Sequence, residues 1–338
     1  ERGMEPMVTL HHFTNPLWLM EKGGYENVAA LDYFERFARK VVKALGEYVD
    51  LWCTFNEINV YAYNSYAEGI WPPGKKDVQS CFKVMRRILM AHALAYRAIH
   101  ELQPRARVGI AQNIILFDPA RPDFAPDSWV GRLQARAFNE AIPHALHTGR
   151  LLFPVGGWNE RLPQLAGTMD YVGVNYYTRR LTAFDLSQPG ALFGRTFHAP
   201  AAEVDNVGLN ELYPEGLYRV VKWANGFGKP ILITENGWGD NDESRRTRAL
   251  LLHLRQLWRA HNFNWPVQAY YYWTLVDNFE WERGWTQRFG LYELDLATQT
   301  RAPRPAAKLY AEICKTNTLT SDMTARYAPE LLPQLFPG

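Results

Sequence analysis

The sequence predicts an α/β fold of the (β/α)8 or TIM-barrel type, in an incomplete form with about six parallel strands. Short apolar runs alternate along the chain with longer segments whose apolar residues recur at helical spacing. Polar residues stand at the C-terminal ends of several predicted strands, where α/β barrels carry their chemistry. A doubly wound sheet obeys a similar rule, but no glycine-rich nucleotide motif follows the first strand.

The first half of the chain predicts three strand–helix pairs. The predicted strands are the apolar runs at 6–12, 51–56 and 108–113. The predicted helices are 28–45, 78–102 and 133–147, because apolar residues at these places recur every three or four positions. His92 lies on the apolar face of the second helix, and we interpret it as a core histidine with satisfied ring nitrogens.

The second half repeats the pattern. The predicted strands are 171–176, 230–234 and the aromatic run at 267–274. The predicted helices are 214–227, 244–260 and 305–313. No linker or repeat divides the chain, so residues 1–315 are predicted to form one barrel domain, followed by a C-terminal tail at 316–338.

Composition excludes several classes of function. The net charge is +2 and no long Lys/Arg run occurs, which disfavours nucleic-acid binding. The densest basic cluster, Arg245, Arg246 and Arg248, is interpreted as a solvated helix start. No stretch is long and apolar enough for a membrane span. The odd count of 3 Cys favours a reducing, cytoplasmic location, although the chain opens on Glu1 and leaves targeting open.

Two segments of similar form point to the chemistry. Ile231–Thr234 is an apolar run that delivers Glu235 to a turn with Gly237, and Leu51–Asn56 delivers Glu57 in the same way. Two carboxylates at strand ends, each beside an Asn, are typical of sites that cleave glycosidic bonds. His11 and His12 point to opposite faces of a strand, so no metal site and no cofactor are predicted.

Several motifs resemble those of the family 1 glycoside hydrolases, the β-glucosidase family. The longest are Thr54-Phe-Asn56-Glu57, Ile233-Thr-Glu235-Asn-Gly237 and Trp273-Thr-Leu-Val-Asp-Asn-Phe-Glu280-Trp281, and the motifs stand in the family's order. The resemblance implies a retaining exo-β-glycosidase that removes a terminal β-D-glucosyl, galactosyl or fucosyl residue, with a β-glucosidase favoured. It implies a small β-glucoside or oligosaccharide as substrate.

The same resemblance implies roles for ten residues. Glu57 matches the acid/base and Glu235 the nucleophile. Asn56 is expected to bind the sugar 2-hydroxyl and Tyr177 to hydrogen-bond the nucleophile. The remaining sugar-binding positions are His12, Asn175, Trp273 as the floor under the ring, Glu280 and Trp281 as readers of the hydroxyls, and Phe289 as a wall.

The sequence departs from the family at its start, where the family has two further βα units. The resemblance therefore implies an open sheet with edges near 8–12 and 267–274. Apolar edges invite pairing, so a hidden segment, a second copy of the chain or the C-terminal tail is expected to cover them. The alternative to an active glycosidase is a weak or inactive barrel remnant that binds sugar or a partner protein. Transglycosylation would use the same residues as hydrolysis.

Overall fold

The structure is a computed structural model that describes residues 3–337. Its strands are β1 Met7–His11, β2 Leu51–Asn56, β3 Arg107–Pro119, β4 Arg150–Leu151, β5 Glu160–Arg161, β6 Val172–Phe184, β7 Gly194–Phe197, β8 Ile231–Asn236, β9 Val267–Tyr272, β10 Tyr292–Leu294 and β11 Arg301–Pro303. Its α-helices are α1 Leu17–Glu21, α2 Ala30–Leu45, α3 Ile58–Ala62, α4 Val78–Leu102, α5 Ala125–Ala135, α6 Ala141–Thr148, α7 Glu215–Asn225, α8 Glu243–His261, α9 Pro305–Thr316, α10 Ser321–Tyr327 and α11 Leu332–Leu335. Each predicted strand and helix has a counterpart, and most ends differ by at most three residues. The exceptions are β3 and β6, which run six and eight residues beyond their predicted ends, and the helix predicted at 133–147, which begins eight residues earlier.

The main sheet confirms the predicted α/β class. Its strand order is β1-β2-β3-β6-β8-β9, and these six strands run parallel. In the register, Met7 pairs with Leu51 and Leu51 with Arg107. The order follows the sequence because each strand is joined to the next by a helical crossover. The polar residues that follow β2 and β8 are therefore placed by the strands themselves.

The chain folds into two compact units. The first comprises residues 3–175, 181–197 and 227–232, and the second comprises 176–180, 198–226 and 233–337. The single-domain organisation over 1–315 therefore stays a prediction. The ends of the predicted segments, residues 1–2 and residue 338, lie outside the described part of the chain.

The core of the first unit shows why α2 and α4 form where the pattern predicts them. Val42 of α2 and Ile99 of α4 bury their side chains in one cluster with Trp52 and Val108 of the sheet. Asp77 begins α4 by accepting hydrogen bonds from the main-chain N–H groups of Gln79 and Ser80. These bonds satisfy donors that an uncapped helix start leaves free.

The second unit has its own apolar core, which includes residues of the C-terminal segment. Met323, Ala328 and Leu331 are buried against Leu251 of α8 and Leu309 of α9. Tyr270 and Tyr272 of β9 pack against the same cluster. Residues 321–335 therefore contribute to the core around β9, and the C-terminal tail is one of the three candidates named above for covering the sheet edges.

Two helical segments differ from the sequence-based predictions. The helix predicted at 133–147 is α5 and α6 joined by a wider helical turn at Arg136–Glu140. The basic cluster at the start of α8 is not a solvated helix start throughout, because Arg246 is completely buried. Its guanidinium group donates to the main-chain oxygens of Trp238, Asp240 and Arg288, which satisfies a charge that water cannot reach. His92 is a buried core histidine, as predicted, with both ring nitrogens within hydrogen-bonding distance of partners.

Candidate active site

Glu57 occupies the one-residue junction between β2 and α3. Its main-chain N–H donates to the carbonyl oxygen of Ala111 over 2.7 Å, as if β2 continued. Its own carbonyl oxygen accepts from the N–H of Tyr61, which begins the helix. At this junction Glu57 has φ 45° and ψ 59°, in the left-handed region that residues other than glycine seldom adopt. The side chain is thereby held at the C-terminal end of β2 and is 6% exposed.

The Glu57 carboxyl group accepts two amide hydrogen bonds on a single oxygen. Asn113 of β3 donates its Nδ2–H to Oε1 over 2.9 Å, and Asn175 of β6 donates to the same atom over 2.8 Å. Amide donors stabilise the ionised form of a carboxyl group in a buried place. Asn175 is a predicted site residue, whereas Asn113 is one that the sequence interpretation missed. Its signal was its position, because it ends a predicted strand as Asn56 does, and Asn175 lies one residue before such an end.

A directed hydrogen-bond chain joins Asn175 to His12. Asn175 uses its second amide hydrogen to donate to Oδ1 of Asn56 over 3.0 Å. The Asn56 amide nitrogen is then left to donate, and it lies 3.3 Å from Nε2 of His12. The histidine ring must accept at that atom, so it is neutral with its proton on Nδ1. Burial lowers the pKa of His12 to about 4, which agrees with a neutral ring.

Glu235 lies near the end of β8 and accepts a phenol hydrogen bond. The hydroxyl group of Tyr177 donates to Oε2 over 2.6 Å, and the Glu235 side chain is 8% exposed. Asn236 donates to the carbonyl oxygen of Tyr176 over 2.7 Å and accepts from the Tyr270 hydroxyl group over 2.8 Å. The residue after Glu235 therefore fixes the end of β8 to both neighbouring strands.

Gly237 is required because the chain after Glu235 passes very close to β9. A Cβ atom at this position would lie 2.0 Å from the carbonyl oxygen of Trp273, well inside van der Waals contact. The Trp273 N–H donates to the carbonyl oxygen of Asn236 over 2.9 Å. The glycine two residues after the carboxylate, which the sequence suggested as a turn signal, thus permits close approach of two backbones.

Some of the residues expected to bind the sugar contact one another. The indole N–H of Trp273 donates to Oε1 of Glu280 over 3.3 Å. Glu280 is 9% exposed, and burial raises the pKa of its carboxyl group. Phe289 is buried, with its ring centroid 5.9 Å from that of Tyr177 in an edge-on arrangement. Trp281 opens a turn at Trp281–Arg283.

Nine of the ten predicted site residues, all except Trp281, thus fall into three hydrogen-bonded or ring-contact groups. One group is His12, Asn56, Glu57 and Asn175; another is Tyr177, Glu235 and Phe289; a third is Trp273 and Glu280. Within residues 3–337, no three His, Cys, Asp or Glu side chains are arranged to hold a metal ion. In the same part of the chain, no helix has the length and apolarity needed to cross a membrane.

Comparison with known proteins assigns the class. The model of glycosyl hydrolase family 1 matches residues 1–319. The chain belongs to glycosyl hydrolase family 1 and is a glycoside hydrolase. The resemblance stated from the motifs is thereby confirmed.

The relatives are named glycosidases. A β-glucosidase A of Thermotoga maritima is 29% identical over 94% of this chain and 75% of its own length. A β-galactosidase of Pyrococcus woesei is 29% identical over 94% of this chain and 70% of its own length. The solved β-glycosidase of Pyrococcus horikoshii superposes with a TM-score of 0.88 at 35% identity, over 96% of this chain and 75% of that one. The fold is therefore of the TIM-barrel type, and the sequence spans about three quarters of a family chain.

Proposed function

We propose that the chain is a retaining exo-β-glycosidase, with a β-glucosidase favoured, in which Glu57 is the acid/base and Glu235 the nucleophile. The observation that supports this division of roles is the different hydrogen bonding of the two carboxyl groups. Glu57 accepts two amide N–H groups on Oε1, and Glu235 accepts the Tyr177 hydroxyl group on Oε2. Each carboxyl group is buried at the end of a strand of the main sheet.

The reaction is a double displacement. An oxygen of the Glu235 carboxylate attacks the anomeric carbon while Glu57 gives its proton to the glycosidic oxygen, and the bond to the aglycone breaks. Water then attacks the anomeric carbon of the glycosyl ester, Glu57 takes a proton from it, and the ester C–O bond breaks. The mechanism requires the two carboxyl groups to be about 5–5.5 Å apart.

The sugar-binding residues support an unphosphorylated hexose. Glu280 presents a carboxyl group that accepts hydrogen bonds from hydroxyl groups and repels a phosphate when ionised. Its contact with the Trp273 indole N–H holds it in one orientation. Relatives carry the names β-glucosidase and β-galactosidase, so glucose, galactose and the 6-deoxyhexose fucose are the candidates, with β-D-glucose preferred. His12, Asn56 and Asn175 contribute neutral hydrogen-bonding groups, and Trp273, Trp281 and Phe289 contribute apolar faces.

Covalent labelling tests the proposal. Incubation with 2,4-dinitrophenyl 2-deoxy-2-fluoro-β-D-glucoside should trap the glycosyl ester, because fluorine slows both steps while the dinitrophenolate leaving group keeps formation faster than hydrolysis. Mass spectrometry of peptic fragments is expected to place the label on Glu235. The Glu235→Gln and Glu57→Gln variants are expected to lose phenyl β-D-glucoside hydrolysis by several orders of magnitude.

Glu47→Gln is the matched control, because Glu47 is an exposed glutamate outside the groups described above. It should keep the wild-type rate. A label on any other residue, or full hydrolysis by Glu57→Gln, would overturn the proposal.

A further inference from the structure

Asn113 makes a contact with Glu57 that the sequence motifs do not assign. Its amide nitrogen lies 2.9 Å from Oε1 of Glu57, and Asn175 donates to the same oxygen. We propose that Asn113 is a positioning residue that fixes the transferable proton of Glu57 on the other oxygen, Oε2. This inference rests on the acid/base role proposed above for Glu57.

The geometry fixes the direction of both bonds. Asn175 must present its NH2 group to Glu57, because the same nitrogen also donates to Oδ1 of Asn56. A carboxylate offers only acceptor atoms, so Asn113 must present its NH2 group as well. The Asn113 backbone is itself held, since its carbonyl oxygen accepts from the buried Asn59 side chain over 2.9 Å.

Two donors on one oxygen determine where the proton resides. An oxygen that accepts two N–H bonds would have to give one of them up in order to carry a hydrogen. The protonated carboxyl group therefore keeps Oε1 as its carbonyl oxygen and bears the O–H on Oε2. In the first step, that O–H bond breaks as the proton passes to the glycosidic oxygen, and the electron pair of the broken glycosidic bond stays with the aglycone. Without Asn113, one amide bond remains on Oε1, and the preference of the proton for Oε2 becomes weaker.

A structural role alone would produce a different result from a role in proton placement. A residue that only supports β3 would lower the rate for every substrate alike. A residue that positions the acid should matter only where the leaving group needs a proton. Glucosides with different leaving groups separate the two roles. Dinitrophenolate leaves without acid assistance, whereas phenol and methanol leave only when the glycosidic oxygen receives a proton.

The experiment compares Asn113→Ala with wild-type protein on dinitrophenyl, phenyl and methyl β-D-glucosides. We expect kcat/KM to fall about 10- to 100-fold for the phenyl and methyl glucosides and less than about 3-fold for the dinitrophenyl glucoside. Gln112→Ala is the matched control, because Gln112 adjoins Asn113 on β3 and donates to the carbonyl oxygen of Phe138. It should show no dependence on the leaving group. Equal losses for all three substrates in Asn113→Ala, or no loss, would overturn the proposal.

Glu57→Gln in the same series separates this inference from the proposed function. If that variant also lacks leaving-group dependence, Glu57 is not the acid and the proposed function fails first. Infrared spectroscopy gives a readout without turnover. The carbonyl stretch of protonated Glu57, identified by its loss in Glu57→Gln, should move to higher frequency in Asn113→Ala, because its carbonyl oxygen loses one hydrogen bond. An unchanged frequency would count against the role of Asn113.

Discussion

Arg246 links the turn after Glu235 to the segment that carries Phe289. Its Nη1 atom donates to the carbonyl oxygen of Trp238 over 2.8 Å and to that of Arg288 over 3.0 Å. The carboxylate of Glu243 lies 3.3 Å from its Nε atom and balances part of the charge. Through its fixed donors, the buried guanidinium group connects the main chain at Trp238, Asp240 and Arg288. No pairing of strands connects these three positions.

Replacement of Arg246 tests this role. Arg246→Met is expected to lower the free energy of unfolding by roughly 3–5 kcal/mol, because it leaves buried carbonyl oxygens without donors. The free energy of unfolding of Arg246→Lys should lie between those of the wild type and Arg246→Met, because an ammonium group keeps the charge but lacks the planar set of donors of a guanidinium group. Urea unfolding measures both. Arg255→Met on the same helix is the control, and a loss no larger than that of the control would contradict the role of Arg246.

The two glutamates proposed to react are easier to recognise in the sequence than the residues that support them. Glu57 and Glu235 stand in long local motifs that can be recognised without a structure. Asn113 and Arg246 act through partners 56 and 42 residues away, on Glu57 and Arg288 respectively. A strand-end rule gives the position of Asn113 but not the oxygen that it contacts. The basic run around Arg246 has the same composition whether the side chain is solvated or buried, so only packing distinguishes the two cases.

At the scale of elements, local pattern predicted the starts of strands better than their ends. The strands predicted at 108–113 and 171–176 are β3 and β6, each 13 residues long. Beyond the apolar core, β6 continues because it pairs with β7, with Leu181 opposite Phe197. The part of β6 that pairs with the short, partly exposed β7 contains no continuous apolar run, so the sequence pattern does not reveal it as a strand. The C-terminal helices were undetermined for a similar reason, because their few apolar residues fit a tail as well as a helix.

The C-terminal segment is expected to stabilise β9. Met323 and Leu331 are buried in the cluster that contains Tyr270, and Tyr270 donates to Asn236 beside Glu235. Leu331→Asp places a charge in this cluster and should cost about 3 kcal/mol of unfolding free energy. We also expect a lower kcat, because Tyr270 loses packing that holds its hydroxyl group.

Gln334→Asp is the control for this prediction. It adds the same charge at an exposed position three residues away in the sequence. Urea unfolding and aryl-glucoside hydrolysis measure both variants. If Leu331→Asp matches Gln334→Asp in stability and rate, the segment does not support β9.

At the scale of the whole molecule, the order of parallel strands was the most predictable property. Alternation of strands and helices determines that each strand lies beside the next. The division into two compact units was not predictable, because it depends on how densely distant segments pack. The expected association between copies at the sheet edges, β1 and β9, stays a prediction.

The stability of the whole chain should fall in mild acid. His11, His92 and His253 are buried, and burial lowers the pKa of each from 6.5 to about 4. The unfolded chain therefore binds protons at a higher pH than the folded one. The stabilisation is present above pH 6.5 and is lost as the pH falls toward 4, by roughly 1–2 kcal/mol per histidine between pH 7 and pH 5.

Urea midpoints at pH 7, 6 and 5 measure this loss. His261→Asn changes an exposed histidine and should keep the full pH dependence. A variant such as His253→Asn should have a lower urea midpoint at pH 7 than the wild type, but its midpoint should fall less between pH 7 and pH 5. A midpoint that does not change over this range in the wild type would contradict the prediction.

Glu57, the proposed acid, has a left-handed backbone that lowers the stability of the folded chain. A side chain at φ 45° costs on the order of 1 kcal/mol that glycine at the same place would avoid. Drift in a lineage no longer selected for sugar cleavage would therefore favour Glu57→Gly, since that replacement removes both strain and a buried carboxyl group. Sequences in which this one position has become glycine, while the framework around it persists, would be the expected descendants of such a lineage.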